Sequence, residues 1–213
     1  MKLKDYSVEA FINEIDAKSP APGGGSASAL MSSIGIALIR MVGHLTVDKK
    51  KFMSLDPKIQ FEFKDVIESF RYIKDELIHL IDSDTEAFND IMTSYQLPKT
   101  NEEEINIRNQ AIHNATEKAI MVPLKVASLS LSALHQCDVI IRYGNKQTVS
   151  DLGVACLAIT SGALGGLMNV MINLPGLNDE IAVKQYRLQV EDMMKKIHHL
   201  RDEILEKVYL SIN

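Results

Sequence analysis

Hydrophobic residues recur at intervals of three and four along almost the whole chain, which is the period of an amphipathic α-helix. No stretch shows the sustained apolar and polar alternation of a half-buried strand. The pattern therefore predicts an all-α protein. The predicted helices cover residues 7–17, 26–46, 57–95, 100–136 and 151–172, with a last helix that follows residues 178–180.

Capping signals mark where several of these helices begin. Asp56 is a good N-cap and is followed by Pro57, a residue favoured at the first helical position. Thr100 and Glu103 fit the spacing of a capping box for the next helix. Long helices with short connections favour an antiparallel bundle, which we expect to form a single domain over residues 1–213.

Two of the predicted helices are apolar and rich in small residues. Residues 27–47 approach the length of a membrane span, but they include Ser32, Arg40 and His44, so we predict a buried helix. Residues 151–172 have the same character and are predicted to pack against it. Because one chain of this size does not cover every face of such helices, we expect a homodimer.

Composition and charge narrow the class of function. The chain has 213 residues, a net charge of -5 and a pI near 5.7, which argues against a general nucleic-acid surface. Cys137 and Cys156 lack the spacing of metal ligands or of a disulfide framework. The N-terminus is polar and shows no secretory signal, so we expect a cytoplasmic protein with no membrane partner.

Three consecutive glycines precede the first apolar helix, within the run Ser-Pro-Ala-Pro-Gly-Gly-Gly-Ser-Ala-Ser at residues 19–28. Such a run indicates positive φ or the close approach of another group. The first amides of a helix lack internal partners, so a glycine loop that opens into a helix can receive an anion or a polar ring. The residues predicted to line this site are Pro22, Gly23, Gly24, Gly25 and Ser26.

One carboxylate lies on the apolar face of the long helix predicted over residues 57–95. On a helical wheel Asp84 falls about 60° from Ile81, whereas Asp82 falls about 100° away on the other side. Burial raises the pKa of such a carboxylate, which suits a general acid or base near neutral pH. The alternative is a buried acid satisfied by a lysine or by a helix cap, and periodicity alone does not choose between them.

Lys49, Lys50 and Lys51 form a basic cluster beyond the first apolar helix. One interpretation is a solvated turn. The other is a landing site for a polyanionic ligand, because ammonium groups attract carboxylates without demanding a fixed geometry.

Four further polar residues interrupt apolar surroundings. Asn145 and Asp151 are either helix-end caps or parts of a binding site. Asn169 and Asn173 lie one turn apart, where they either bond to each other or to a neighbouring helix, or contact a ligand ring.

A metal site is not predicted. Glu76 and His79 have the Glu-x-x-His spacing that carboxylate-bridged di-iron bundles use twice, but the spacing occurs once here.

Six segments taken in order strongly resemble the cyclodeaminase/cyclohydrolase family of folate enzymes, and the resemblance covers nearly the whole chain. Any one of these segments is a weak signal, but their common order and spacing make a chance match improbable. The segments are Ser-Pro-Ala-Pro-Gly-Gly-Gly-Ser at 19–26, Asp-Ser-Asp-Thr-Glu-Ala-Phe at 82–88, Val-Pro-Leu at 122–124, Gly-Asn-Lys at 144–146, Ser-Asp-Leu-Gly-Val-Ala at 150–155 and Asn-Val-Met-Ile-Asn-Leu at 169–174.

The resemblance implies a dimeric helical enzyme that acts on one-carbon derivatives of tetrahydrofolate, with no cofactor beyond that substrate. It implies either cyclodeamination of 5-formimino-tetrahydrofolate or cyclohydrolysis of 5,10-methenyl-tetrahydrofolate, with Asp84 as the proton carrier. The glycine loop, Asn145, Asp151, Asn169 and Asn173 are then expected around the pterin, and Lys49 and Lys50 near the glutamate tail. A non-catalytic helical folate-binding or scaffold protein is the alternative.

Overall fold

The computed structural model describes residues 1–212, and that part of the chain is helical with no β-strand. This confirms the predicted all-α class. The seven α-helices are α1 Val8–Ile15, α2 Gly24–Val47, α3 Lys50–Met53, α4 Pro57–Tyr95, α5 Glu102–Tyr143, α6 Val149–Asn173 and α7 Glu180–Ile212. Short 3-10 helices at Leu3–Asp5, Lys146–Thr148 and Leu174–Gly176 accompany them.

Five long helices share one apolar core, and α2 lies in the middle of them, packed most extensively against α6 and α4. Helix α4 runs antiparallel to α2, because Gly43 near the end of α2 meets Ile67 near the start of α4. Helix α5 runs parallel to α2, because Ser130 bonds to Ser32 at 2.7 Å and Gly144, just after α5, lies beside Val42 near the end of α2.

Small residues let α2 and α6 approach closely, which confirms the predicted pairing of the two apolar segments. A Cβ atom on Gly35 would overlap with Ile159, and one on Gly162 would overlap with Ser32. The two helices are antiparallel, since the start of α2 at Gly24 lies beside Asn169 near the end of α6.

The helix starts agree with the sequence in one case and differ in another. Asp56 caps α4 as predicted, since its carboxylate accepts a 2.8 Å hydrogen bond from Lys58 N. The prediction that Thr100 and Glu103 form the capping box of α5 is wrong by one residue. Asn101 is the N-cap and accepts from Glu104 N at 2.9 Å, and the Glu104 carboxylate accepts from Thr100 N at 2.8 Å.

The bundle has two ends of different chemistry. We call the end that holds Gly23, Gly24, Gly25 and Asp84 the glycine end. The opposite end, with Lys49, Lys51 and Asn145, is the lysine end and is defined by the cavity that these three residues line. Helix α2 has 24 residues and runs between them, so the two ends lie about 35 Å apart at 1.5 Å per residue.

One side of the bundle leaves an apolar face exposed. Its residues are 3, 4, 7 or 11 positions apart, which places them on one side of each of two adjacent helices. They are Met31, Ile34, Met41 and Leu45 on α2, with Val154, Leu157, Met168 and Ile172 on α6.

Three helical segments are long and apolar enough to cross a membrane, judged by length and composition alone: Gly24–Val47, Glu102–Tyr143 and Lys146–Gly176. About half of the most apolar part of each is buried inside the bundle.

Candidate active site

Asp84 projects from α4 onto the first turn of α2. Its Oδ2 atom accepts a 2.8 Å hydrogen bond from Ser26 N and lies 3.2 Å from the Ser26 hydroxyl. Ser26 N belongs to the first turn of α2, where amides have no partner within the helix. Asp84 therefore caps α2 from a neighbouring helix, which is one of the two alternatives that the sequence left open.

The capping hydrogen bonds involve only one of the two carboxylate oxygens, Oδ2. Asp84 Oδ1 has no hydrogen-bond partner among residues 1–212, and it is not among the sealed polar atoms of that part of the chain. A carboxylate with one anchored and one free oxygen can both keep its orientation and exchange a proton with a ligand. The helix-cap and proton-carrier interpretations are thus compatible.

Burial raises the pKa of Asp84 above its ordinary value, and the two hydrogen bonds from Ser26 oppose that rise. Desolvation disfavours the charged form, whereas hydrogen bonds to the carboxylate favour it. A carboxyl group whose pKa lies above the usual range is better matched to proton transfer near neutral pH.

The glycine run is explained by close approach. No glycine among the described residues has a positive φ. A Cβ atom at Gly25 would overlap with the Asp84 carboxylate, so this position has no room for a side chain. At Gly24 a Cβ would lie 3.2 Å from Asn169 Nδ2, and at Gly23 it would meet only Pro20 O at 3.5 Å. The requirement for glycine is therefore graded along the run.

Ser26, which the sequence predicts to line the site, has no exposed surface there. It is 0% exposed, its hydroxyl donates to Ile81 O at 2.8 Å, and Thr85 Oγ1 lies 3.2 Å away. The prolyl ring of Pro22 is buried as well. Ser26 lies behind the surface that a ligand can reach, because the first turn of α2 packs directly against α4.

Asp82 points away from the glycine loop, in agreement with the wheel. It is nevertheless only 8% exposed, because the N-terminal segment covers it and Leu3 N donates to its Oδ1 atom at 2.6 Å. The wheel gave no sign of this burial, since the covering contact joins residues 79 positions apart.

The two asparagines on α6 bond to backbone carbonyls. Asn169 Nδ2 donates to Gly165 O at 2.8 Å, at the edge of the glycine end. Asn173 Nδ2 donates to Asn169 O and to Ala119 O, each at 2.9 Å. Because Pro123 has no N–H, it cannot serve Ala119 O within α5, and Asn173 supplies the missing donor.

The lysine end contains a cavity of about 440 Å³. Asn145 caps the 3-10 helix beside it, accepting from Gln147 N at 3.1 Å, and its own N–H donates to Thr46 Oγ1 at 2.9 Å. Asn145 therefore acts as a helix-end cap, and it also lines the cavity. The cavity is lined by Thr46, Lys49, Lys51, Phe52, Leu55, Arg142, Tyr143, Gly144, Asn145, Lys146 and Gln147.

One chain does not bring all the predicted site residues together. Asp84, the glycine run, Asn169 and Asn173 lie toward the glycine end, while four predicted residues lie toward the other end, because α2 separates the two groups. Those four are Lys49, Lys50, Asn145 and Asp151, of which Lys50 does not line the cavity and Asp151 is half-buried in the first turn of α6.

Glu76 and His79, the residues of the Glu-x-x-His spacing, each lie beside a lysine. Glu76 forms an ion pair with Lys125, and Lys4 Nζ lies 3.3 Å from His79 Nδ1. Within residues 1–212 no three His, Cys, Asp or Glu side chains are grouped as metal ligands.

The chain is similar in sequence to one family of known proteins. A family model described as formiminotransferase-cyclodeaminase matches residues 7–192. A methenyltetrahydrofolate cyclohydrolase of Methylorubrum extorquens is 30% identical over 207 residues, which are 97% of this chain and 98% of that protein. A formimidoyltransferase-cyclodeaminase of Rattus norvegicus is 34% identical over 200 residues, or 91% of this chain.

The chain spans only about a third of the rat protein, 35% of its length. The fold is shared with a crystal structure of a formiminotetrahydrofolate cyclodeaminase from Thermotoga maritima. That match has a TM-score of 0.77 at 22% identity and covers 99% of this chain and 97% of the other. With the family model covering most of its length, the chain belongs to the formiminotransferase-cyclodeaminase family.

Proposed function

We propose that the protein is a folate one-carbon enzyme of the 5,10-methenyl-tetrahydrofolate interconversions, in which Asp84 is the general acid and base. The reaction is either hydrolysis of the methenyl compound to 10-formyl-tetrahydrofolate, or cyclisation of 5-formimino-tetrahydrofolate with release of ammonia. The names of the relatives support the substrate class. The observation that carries the role of Asp84 is its anchored Oδ2 and free Oδ1 beside the glycine run.

Both reactions pass through a tetrahedral carbon between N5 and N10 of the folate. In hydrolysis, Asp84 takes a proton from the water that adds to the methenyl carbon, and returns it to N5 as the bond from N5 to that carbon breaks. The second proton of the water leaves the hydroxyl group to solvent as the formyl C=O bond forms. In cyclodeamination, N10 attacks the formimino carbon and its proton passes to the former imine nitrogen. Asp84 then protonates the resulting amine, which departs as ammonia as the C–N bond breaks. One proton carrier at a fixed position serves either sequence. No cofactor beyond the folate is part of this proposal, and its setting is the cytoplasm.

The test of this role is Asp84→Asn, assayed by following the absorbance of the methenyl chromophore. Loss of a general acid or base lowers turnover by about two or more orders of magnitude. Asp82→Asn is a matched control, because Asp82 lies on the same helix and is buried without touching the glycine loop. Unchanged turnover in Asp84→Asn contradicts the proposal, while folate binding without turnover in the unmodified protein favours the scaffold alternative.

A homodimer is the second part of the proposal. The exposed apolar face on α2 and α6 fits a second copy of itself, since apolar residues at intervals of three and four are the usual helix-packing pattern. An antiparallel pairing of the copies is favoured by charge. A parallel pairing would place two lysine ends side by side, where like charges repel.

The antiparallel dimer puts the lysine end of one copy near the glycine end of the other. Lys49 and Lys51, which line the cavity, then meet the glutamate tail of a substrate held at the partner's Asp84. In a single chain they lie too far from Asp84 for this, about 35 Å away along α2.

Mixing two defective chains tests this arrangement. A heterodimer of Asp84→Asn with Lys49→Gln/Lys51→Gln contains one site with both defects and one site with neither. At low substrate concentration its activity should exceed that of either parent homodimer. Activity no higher than the average of the parents would contradict a shared site. Ile34→Glu should also give a monomer by ultracentrifugation, whereas the exposed Ile107→Glu on α5 should not.

A further inference from the structure

We propose that Ser26 is a positioning residue for Asp84: its N–H and hydroxyl fix Oδ2, so that the exchangeable proton resides on Oδ1. This inference rests on the proposed role of Asp84 as the proton carrier. It assigns Ser26 a part in the reaction that does not involve contact with the substrate.

The burial of Ser26 excludes a direct contact. The residue is 0% exposed and lies between the α2 backbone and α4, with its hydroxyl bonded to Ile81 O at 2.8 Å. Within residues 1–212 its N–H and hydroxyl contact only Asp84, Ile81 and Thr85 of α4, so we expect any effect on substrate to pass through Asp84.

The hydrogen bonds distinguish the two carboxylate oxygens. Ser26 N donates to Oδ2 at 2.8 Å, and an oxygen that accepts an N–H bond is the poorer place for an added proton. Oδ1 lies over Gly25, where the missing side chain leaves it room, and it has no partner within the described chain. The protonated acid therefore carries its hydrogen on Oδ1.

The Ser26 hydroxyl has one proton and two acceptors. Ile81 O at 2.8 Å is the nearer and Asp84 Oδ2 at 3.2 Å the more distant, while Thr85 Oγ1 at 3.2 Å can donate in return. When Asp84 is ionised, its charge strengthens the longer contact. The hydroxyl thus stabilises the charged form of Asp84 and opposes the effect of burial.

Ser26→Ala is the first test, with kcat and KM measured across pH. The variant keeps the N–H bond and loses the hydroxyl, so the pKa of Asp84 should rise. The limb of the pH profile that Asp84→Asn abolishes should move to higher pH. We expect kcat at neutral pH to change by up to about tenfold, the size of one hydrogen bond to a charged group, and KM to stay nearly constant.

Ser28→Ala is the matched control. Ser28 lies on the same helix, is equally buried, and donates to Gly24 O at 2.6 Å without touching Asp84. Its loss should leave the pH limb in place. If Ser26→Ala does not fold, Ser26→Cys retains the volume with a weaker donor, and should move the limb in the same direction by less.

Three outcomes would overturn the inference. An unmoved limb in Ser26→Ala, with a fall in kcat like that of Ser28→Ala, would make Ser26 structural only. A raised KM with constant kcat would make it a substrate contact. A limb that moves to lower pH would reverse the role of the hydroxyl. If instead Asp84→Asn retains full turnover, the proposed function fails independently of Ser26.

Discussion

The two ends of the bundle differ in the charge of their side chains and in how firmly those side chains are held. At the glycine end, one carboxylate is fixed by a backbone amide against a position without a side chain. At the lysine end, an open cavity is lined by four cations, and Lys49 and Lys51 have no acidic partner among residues 1–212. Proton transfer requires a rigid carrier, whereas recognition of a flexible anionic tail tolerates mobile ammonium groups.

After Asp84→Asn, the largest expected effect comes from Gly25→Ala. The new methyl group would occupy the place of the Asp84 carboxylate, which must then move or turn. A displacement of about 1 Å from a reacting group costs about 100-fold in turnover. We expect kcat to fall by about that factor in the chromophore assay, with a lower Tm because Ser26 also loses its partner.

The neighbouring glycines provide the controls. Gly23→Ala places its methyl group at an ordinary contact distance of 3.5 Å and should leave turnover within about twofold, and Gly24→Ala should fall between the two. Equal losses at all three positions would show that the run is needed for its flexibility. That would contradict close approach as its cause.

Replacing Asp84 and replacing Asp138 should change the stability of the folded protein in opposite directions. Burial raises the pKa of Asp84 in the folded protein. Ionisation of Asp84 therefore lowers the free energy of unfolding as pH rises through that pKa. Asp84→Asn should therefore unfold at a higher Tm than the unmodified protein at neutral pH. The advantage should vanish below the ordinary carboxyl range, where Asp84 is protonated in both the folded and the unfolded states.

The pKa of Asp138, near the lysine end, is shifted in the opposite direction. Hydrogen bonding and charge from Lys207, with a further contribution from Arg142, lower its pKa. Asp138→Asn should lower the free energy of unfolding at neutral pH by less than about 1 kcal/mol, because the pair is largely exposed. The loss should disappear as pH falls through the lowered pKa. Stability changes of the same sign in both variants would contradict this contrast between the ends.

The sequence predicted helix faces better than positions along the bundle. Periodicity located Asp84 on the apolar face and paired the segments of α2 and α6, because both follow from local spacing. It did not separate Asn145 and Asp151 from Asp84, although the length of α2 at 1.5 Å per residue contains that information. The burial of Asp82 depends on the N-terminal turn, which no local pattern reveals.

The lysine end should show a smaller effect, on KM alone. If its cavity receives the glutamate tail, Lys49→Gln/Lys51→Gln should raise KM several-fold more for a polyglutamylated than for a monoglutamylated folate, with kcat nearly unchanged. The difference should shrink with added salt. Lys50→Gln should have less effect, because Lys50 does not line the cavity. Equal changes in KM for both substrates would contradict a role in tail binding.

The last prediction separates a structural role of Asn173 from contact with a ligand. Its amide serves Ala119 O, which Pro123 leaves without a donor, so Asn173→Ala should cost about 1 kcal/mol of unfolding free energy. In a Pro123→Ala background the restored N–H bonds to Ala119 O, and the same substitution should cost less. A double-mutant cycle in denaturant measures the coupling. Zero coupling, with a raised KM for folate, would instead make Asn173 a ligand contact, as the family resemblance implies.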